Sequence, residues 1–228
     1  MQKVKNTLLL LGLNILFLTV YSSNGVCQTT FSFGLKGGLG SSSILIDDQK
    51  LNDETELVSL TRNTNFAQIS THIGGFGNWT HELGGLDYLF VRPEVYFTLN
   101  AGGTMRLLTQ DENQQEQKIN IQEKFNRLDI PILLGYKIIG IRVGAGPVFS
   151  SILSSESDWD NYDNFTRTFK NGSVGFQIGI GVDKEKVQFD LKYENIGGLD
   201  DEFSMDGESF DINSRISQIL FSLAYKIK

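Results

Sequence analysis

The stretch Val174–Tyr193, VGFQIGIGVDKEKVQFDLKY, decides the fold. Val174, Phe176, Ile178, Ile180 and Val182 alternate with Gly175, Gln177, Gly179 and Gly181. Asp183-Lys184-Glu185-Lys186 interrupts the pattern. Alternation then resumes as Val187, Phe189, Leu191 and Tyr193 against Gln188, Asp190 and Lys192. A period of two puts successive side chains on opposite faces of a strand. The short polar interruption suits a two-residue hairpin turn. The stretch therefore reads as two antiparallel strands, each with one bulky apolar face and one face of glycine, polar and charged residues.

The same pattern recurs along the chain. Outward from the hairpin, Ile141, Val143, Ala145 and Phe149 alternate with Arg142, Gly144, Gly146 and Ser150. Leu128, Ile130, Ile132 and Leu134 alternate with Arg127, Asp129 and Gly135. Leu89, Val91, Val95, Phe97 and Leu99 alternate with Arg92, Glu94 and Thr98. Segments beginning near Phe31, near Ile69 and at Ile219 behave alike. The total is eight strands, an even number. Short connections fall at residues 81–85, 137–140 and 183–186, and long polar ones at about 42–65, 100–123, 154–170 and 198–213. Turns at one end and long loops at the other characterise an outer-membrane barrel, with the turns facing the periplasm.

Alternation alone does not say which face meets lipid. The glycine-rich face also carries Lys36, Arg92, Glu94, Arg127, Asp129, Arg142, Asp190, Lys192 and Glu194. A soluble barrel needs no glycines on its solvent side. A narrow lumen does, because small residues make room for long charged side chains from neighbouring strands. Strands of about 10–14 residues, tilted as barrel strands are, match an apolar band about 25 Å tall. Trp79, Tyr88, Tyr136, Tyr193 and Tyr225 lie near strand ends, where interfacial rings are expected. The expected fold is all-β: an eight-stranded, antiparallel, up-and-down transmembrane β-barrel that follows a cleaved signal peptide. Its eight-stranded lumen is just wide enough for side chains to fill. Lys36, Arg92, Glu94, Arg127, Asp129, Asp190, Lys192 and Glu194 are expected to pair there as a polar network, since buried charges are costly unless paired.

Composition excludes other classes. Among 228 residues, 20 Lys and Arg stand against 27 Asp and Glu, a net charge of -7. That balance argues against nucleic-acid binding, which needs a basic surface to neutralise phosphates. One cysteine excludes a disulfide framework, and two histidines leave little for a metal site. Beyond the N-terminal segment there is no apolar run long enough for a membrane helix. In that segment Lys3 and Lys5 precede the apolar run Leu8–Val20, and Gly25 and Cys27 occupy the small-residue positions of a cleavage site. Residues 1–27 read as a signal peptide and 28–228 as the barrel domain. An uncleaved anchor and lipidation at Cys27 are the competing readings; the first is short for a span and the second has a poor flanking motif.

Several stretches resemble the PorT-like outer-membrane β-barrel proteins: FSFGLKGGLGSS at 31–42, LFVRPEVYFTLNAGG at 89–103, FNRLDIPILLGYKI at 125–138, IRVGAGPVFSSIL at 141–153, GFQIGIGVD at 175–183 and FDLKYENIGGL at 189–199. The most specific are Leu128-Asp129-Ile130-Pro131 and Gly144-Ala145-Gly146-Pro147. The resemblance covers essentially the whole mature chain. It implies an outer-membrane location in a Gram-negative envelope, a signal peptide and no catalytic residues. Its namesake is implicated in protein export. The chain departs from many barrels in ending Tyr225-Lys226-Ile227-Lys228, with its last aromatic three positions early.

Other motifs carry little chemistry. The glycine run 34–40 lies on a strand with no helix after it, whereas a dinucleotide fingerprint needs a strand–turn–helix. His81-Glu82 begins like a zinc-protease motif but lacks the second histidine. The acidic stretches 158–164 and 200–208 have carboxylates that calcium could use but lack the turn glycine and distal glutamate of a calcium loop. Ser70 and His72 share one strand face without an acid partner in the motif. No enzyme activity, cofactor or metal is expected. The expected partners are outer-membrane lipid and other envelope or export proteins, with no nucleic acid, around a monomer. Four functional readings compete: a non-enzymatic barrel with a filled lumen and long extracellular loops, which leads, an accessory of protein export, a narrow channel or small-ligand carrier, and a membrane hydrolase using His72.

Overall fold

The computed structural model describes residues 28–46, 50–53, 56–84, 86–110, 116–157, 165–168, 172–197, 201–205, 208–212 and 214–228. The expected signal segment 1–27 lies outside them. Among the described residues twelve strands run in chain order: β1 Thr29–Ile46, β2 Lys50–Asp53, β3 Glu56–Gly84, β4 Asp87–Gln110, β5 Glu116–Ile138, β6 Ile141–Ser157, β7 Phe165–Thr168, β8 Ser173–Lys184, β9 Val187–Gly197, β10 Asp201–Met205, β11 Glu208–Ile212 and β12 Ser214–Lys226. Eight of them close a ring in the order β1-β12-β9-β8-β6-β5-β4-β3, and β3 pairs back onto β1. Every pairing is antiparallel. Closure leaves the membrane-level sheet without an edge, so each strand finds backbone partners on both sides, as hydrocarbon demands.

The orientation of the faces is the one the glycines require. Leu35, Ile73, Leu134, Ile178, Leu191 and Phe221 are exposed on the outside, while Arg92, Glu94, Arg127, Asp129 and Glu194 are buried inside. Among the described residues, the outward positions from Phe31 to Leu39, Ile69 to Trp79, Leu128 to Ile138 and Val174 to Val182 carry no charge. A water-soluble protein would bury those side chains at roughly 25 cal/mol per Å². Here hydrocarbon is their solvent.

The turns gather at one end. Ile139-Gly140 joins β5 to β6 with positive φ at both residues (49° and 81°), the backbone of a type I′ hairpin. Glu185-Lys186 joins β8 to β9, with φ 52° at Glu185. Gly84 pairs with Asp87 across the third turn. Trp79, Tyr88, Tyr136 and Tyr225 mark this end, and Phe31 packs on Trp79 with ring centroids 4.8 Å apart. Tyr193 does not join them: it pairs with Ile178 and Ile219, four residues from the opposite end of β9.

The expected long connections are largely strand. β3, β4 and β5 span 29, 24 and 23 residues, well beyond the expected 10–14. β4 and β5 stay paired out to Gln110 and Glu116. β6 leaves β5 at Glu123↔Ser157, and β1 leaves β3 at Ser42↔Gln68. A three-stranded blade therefore continues past the barrel rim, with β2 adding to β3. Parts of the 154–170 and 198–213 connections form a second sheet, ordered β11-β10-β7. Backbone pairing thus continues past the membrane-level ring.

Local breaks have local causes. A bulge between Thr98 and Ala101 holds Asn100 at φ 57°, and the Asn100 N–H donates to Asn126 Oδ1 at 3.1 Å. Asparagine tolerates this left-handed backbone. The shift moves the inward set from Tyr96 and Thr98 to Ala101 and Gly103. The β4–β5 ladder skips a step after Pro93, and the β5–β6 ladder after Pro131, where proline has no N–H to donate.

Candidate functional site

Inward positions on the ring bring the charged residues together in the lumen. Glu94 on β4 sits at the centre of one cluster. Its Oε2 accepts from Lys36 Nζ at 2.6 Å, and its Oε1 accepts from Lys192 Nζ at 2.6 Å and Arg92 Nε at 2.7 Å. Arg92 continues to Gln188 Oε1 at 2.8 Å and Asp190 Oδ2 at 3.4 Å. Asp190 Oδ1 accepts from Arg142 Nη2 at 2.9 Å. Arg142 Nε and Asp183 Oδ1 approach to 2.6 Å as an ion pair whose alignment falls short of a hydrogen bond, and Lys137 meets Asp183 at 2.8 Å. This chain of alternating charges runs toward the turn end.

A second cluster lies toward the loop end around Glu194. Tyr96 Oη donates to Glu194 Oε2 at 2.8 Å, and Gln177 Nε2 donates to the same oxygen at 2.8 Å. Gln218 donates to Glu194 Oε1, which also lies 3.3 Å from Arg127 Nη2. Arg127 reaches Asp129 at 3.3 Å, and Thr98 and Ser150 both donate to the Asp129 carboxylate. Lys36 Nζ, 4.6 Å from the centroid of the Tyr96 ring, links the two clusters.

All eight network residues expected from sequence are thus buried in the lumen, and each takes part in an ion pair. The sequence reading missed Tyr96, Gln177, Gln188 and Gln218, which carry the neutral hydrogen bonds. Their signal was parity: each occupies the same alternate positions as the charges. His72 faces inward as well, its Nε2 2.8 Å from Ser222 Oγ and its ring 5.6 Å from Tyr96. Among the described residues Ser70 Oγ has no hydrogen-bond partner, and neither Ser70 nor His72 bonds to an acid. No group of His, Cys, Asp and Glu able to hold a metal occurs among the described residues. The side chains of the acidic stretches 158–164 and 200–208 lie outside the described residues.

The inward glycines are where other side chains lie. A Cβ at Gly38 would stand 2.8 Å from His72 Cε1, one at Gly144 2.9 Å from Phe90 Cζ, and one at Gly179 2.6 Å from Lys192 Cγ. Arg92 also stacks on Phe76, its guanidinium carbon 4.0 Å from the ring centroid. Large side chains thus fill the space the glycines leave.

A closed antiparallel ring with apolar side chains outside and ion pairs inside defines a transmembrane β-barrel of the outer-membrane type. The chain is an outer-membrane protein. No family model and no curated protein matches it. Among solved structures it is similar to the attachment invasion locus protein Ail of Yersinia pestis, crystallised with the heparin analogue sucrose octasulfate, at 10% identity and TM-score 0.33 over 86% of this chain and 99% of that one. It is also similar to the outer membrane protease OmpT of Escherichia coli, at 11% identity and TM-score 0.37 over 88% and 96%. The NanC porin gives 11% identity and TM-score 0.21 over 82% and 98%. Likenesses this distant carry no argument, so the class rests on the chain's own geometry.

Proposed function

We propose that the mature protein, residues 28–228 after removal of a signal peptide, is a non-conducting and non-enzymatic barrel. In this reading the lumen network is a structural plug, and the parts that act lie beyond the rim at the loop end. The observation that carries it is the span of Glu94 and Lys192. β4 and β9 are four strands apart in a ring of eight, so their 2.6 Å ion pair crosses the full diameter of the barrel. Tyr96 and Glu194, one step further along the same two strands, cross it again at 2.8 Å. Buried charges held by several partners each are costly to separate, so an ion has no low-energy path between them. The blade of β3, β4 and β5 extends seven residues past Glu123 on β5, about 23 Å at ~3.3 Å per residue. It places backbone-paired strand beyond the rim, where outside partners would meet it.

Planar-bilayer recording tests the plug. The native chain is expected to give no conductance steps, and a variant with Arg92→Ala, Glu94→Ala and Lys192→Ala together is expected to give them. Steady conductance from the native chain would overturn the reading.

A further inference from the structure

The turn end carries a basic surface that the lumen network does not use. Lys184 and Lys186 flank Glu185 in the β8–β9 turn, and Lys226 and Lys228 close the chain beside them. The strands hold the turn lysines beside Lys226: Tyr225 pairs with Val187, and the Lys226 N–H donates to Lys186 O at 2.7 Å; Lys228, two residues on, is tied to β1, where the Phe33 N–H donates to its O at 3.0 Å. Lys184, Glu185, Lys186, Val187 and Lys226 line a shallow groove there. Lys137, also at the turn end, is neutralised by Asp183 at 2.8 Å. None of Lys184, Lys186, Lys226 and Lys228 has an ion pair among the described residues, and Glu185 is the acidic side chain among those that line the groove.

The depth of this patch selects its partner. Lys184 follows Val182 on the outward face of β8, and Tyr225 and Ile227 are outward and about half exposed on the adjoining strand end. Lys184 continues this outward row, while Lys226 and Lys228 alternate with Tyr225 and Ile227 and sit on the other face of the strand end, at the mouth of the barrel; all lie where the apolar belt stops, at the level of lipid phosphates. Long lysine stems lie along apolar surface while the ammonium groups reach the headgroups. We propose that Lys184, Lys186, Lys226 and Lys228 form a binding surface for the headgroup of an anionic phospholipid in the leaflet facing the turns. The proposal rests on the transmembrane reading above, with the turns on the periplasmic side. It adds a lipid preference at one arc of the rim, β8–β9–β12.

Native mass spectrometry of the full chain in detergent tests it, with phosphatidylglycerol or phosphatidylcholine of equal chain length added. Four lysines near an anionic headgroup predict a preference for phosphatidylglycerol of about tenfold or more. Lys184→Gln with Lys186→Gln, and separately Lys226→Gln with Lys228→Gln, should each lower it severalfold, while Glu185→Gln should raise it. Heat-dependent migration in a detergent gel reports on the barrel in every variant, so loss of the fold is distinguishable from loss of the site. Equal binding of both lipids by the native chain, or an unchanged preference in both paired variants, would overturn the proposal. Displacement of phosphatidylglycerol by millimolar inorganic phosphate would also overturn it, because the surface would then be a simple anion site. So would retention on purified cell-wall sacculi that is lost in the same variants.

Discussion

Lys192 Nζ lies 2.6 Å from Glu94 Oε1, although β9 and β4 stand on opposite sides of the ring. The pair is 98 residues apart in sequence and fully enclosed. Lys36 and Arg92 approach the same carboxylate, so one Glu carries three cations. The arrangement ties three strands, β1, β4 and β9, through a single side chain.

Glu94→Gln removes the charge and leaves Lys36, Arg92 and Lys192 facing one another. Breaking a buried ion pair by deleting one partner costs about 3–5 kcal/mol. Urea unfolding in lipid vesicles should show a loss of that size. Adding Lys192→Met to Glu94→Gln removes one of the stranded cations and should recover part of it, because residues in one network do not act additively.

Gly144 on β6 lies beside Phe90 of β4, two strands along the wall, with only 2.9 Å available between a Cβ and the ring tip. Gly144→Ala should cost about 1–3 kcal/mol through overpacking. Phe90→Leu shortens the opposing side chain, and the double variant should be more stable than the sum of the two single losses. Additive losses in the same unfolding experiment would mean that the two sites do not touch.

Ile139 holds φ 49° in the β5–β6 turn, a conformation that branched side chains resist. Asn at this position followed by Gly140 is the favoured pair for a type I′ turn. Ile139→Asn should raise stability by about 1–2 kcal/mol through relief of backbone strain. A fall in the unfolding midpoint would show that the exposed isoleucine matters more as a contact with lipid.

Ile178 occupies the middle of the outward row on β8. Ile178→Arg should destabilise the barrel by about 2–4 kcal/mol if this row meets the bilayer midplane. The same substitution at Arg215, outward near the loop end, is silent by identity, so Arg215→Ile serves as the comparison and should change stability little. The contrast is measurable as unfolding in vesicles.

The membrane-level part of the fold was legible because two solvents act on the two faces of one strand. Leu128, Ile130, Ile132 and Leu134 alternate with Arg127 and Asp129 for that reason, and parity alone sent the first set outward and the second inward. Past the rim the signal fades. Residues 56–66 and 104–110 are strand, yet their sequences, ELVSLTRNTNF and TMRLLTQ, lack a strict apolar–polar alternation. Which charges would meet was also hidden. The encounter of Lys192 with Glu94 depends on how far each strand is staggered against the next, and stagger is set by the registers of all the intervening pairs. The bulge at Asn100 reverses parity on β4 and left no apolar signature. Tyr96 reads in isolation as one more aromatic of a sheet; only its position between Glu94 and Thr98 reveals the lumen.

The bulky row of β8 points outward, to lipid. Spin labels on cysteines introduced singly at Phe176, Ile178, Ile180, Gln218 and Ser222 measure this orientation directly, through relaxation by oxygen, which partitions into lipid, and by a water-soluble metal complex. In reconstituted vesicles the labels at 176, 178 and 180 should relax strongly with oxygen and weakly with the complex, while those at 218 and 222 respond weakly to both. Strong relaxation of the 176–180 labels by the water-soluble complex would contradict a lipid-facing row.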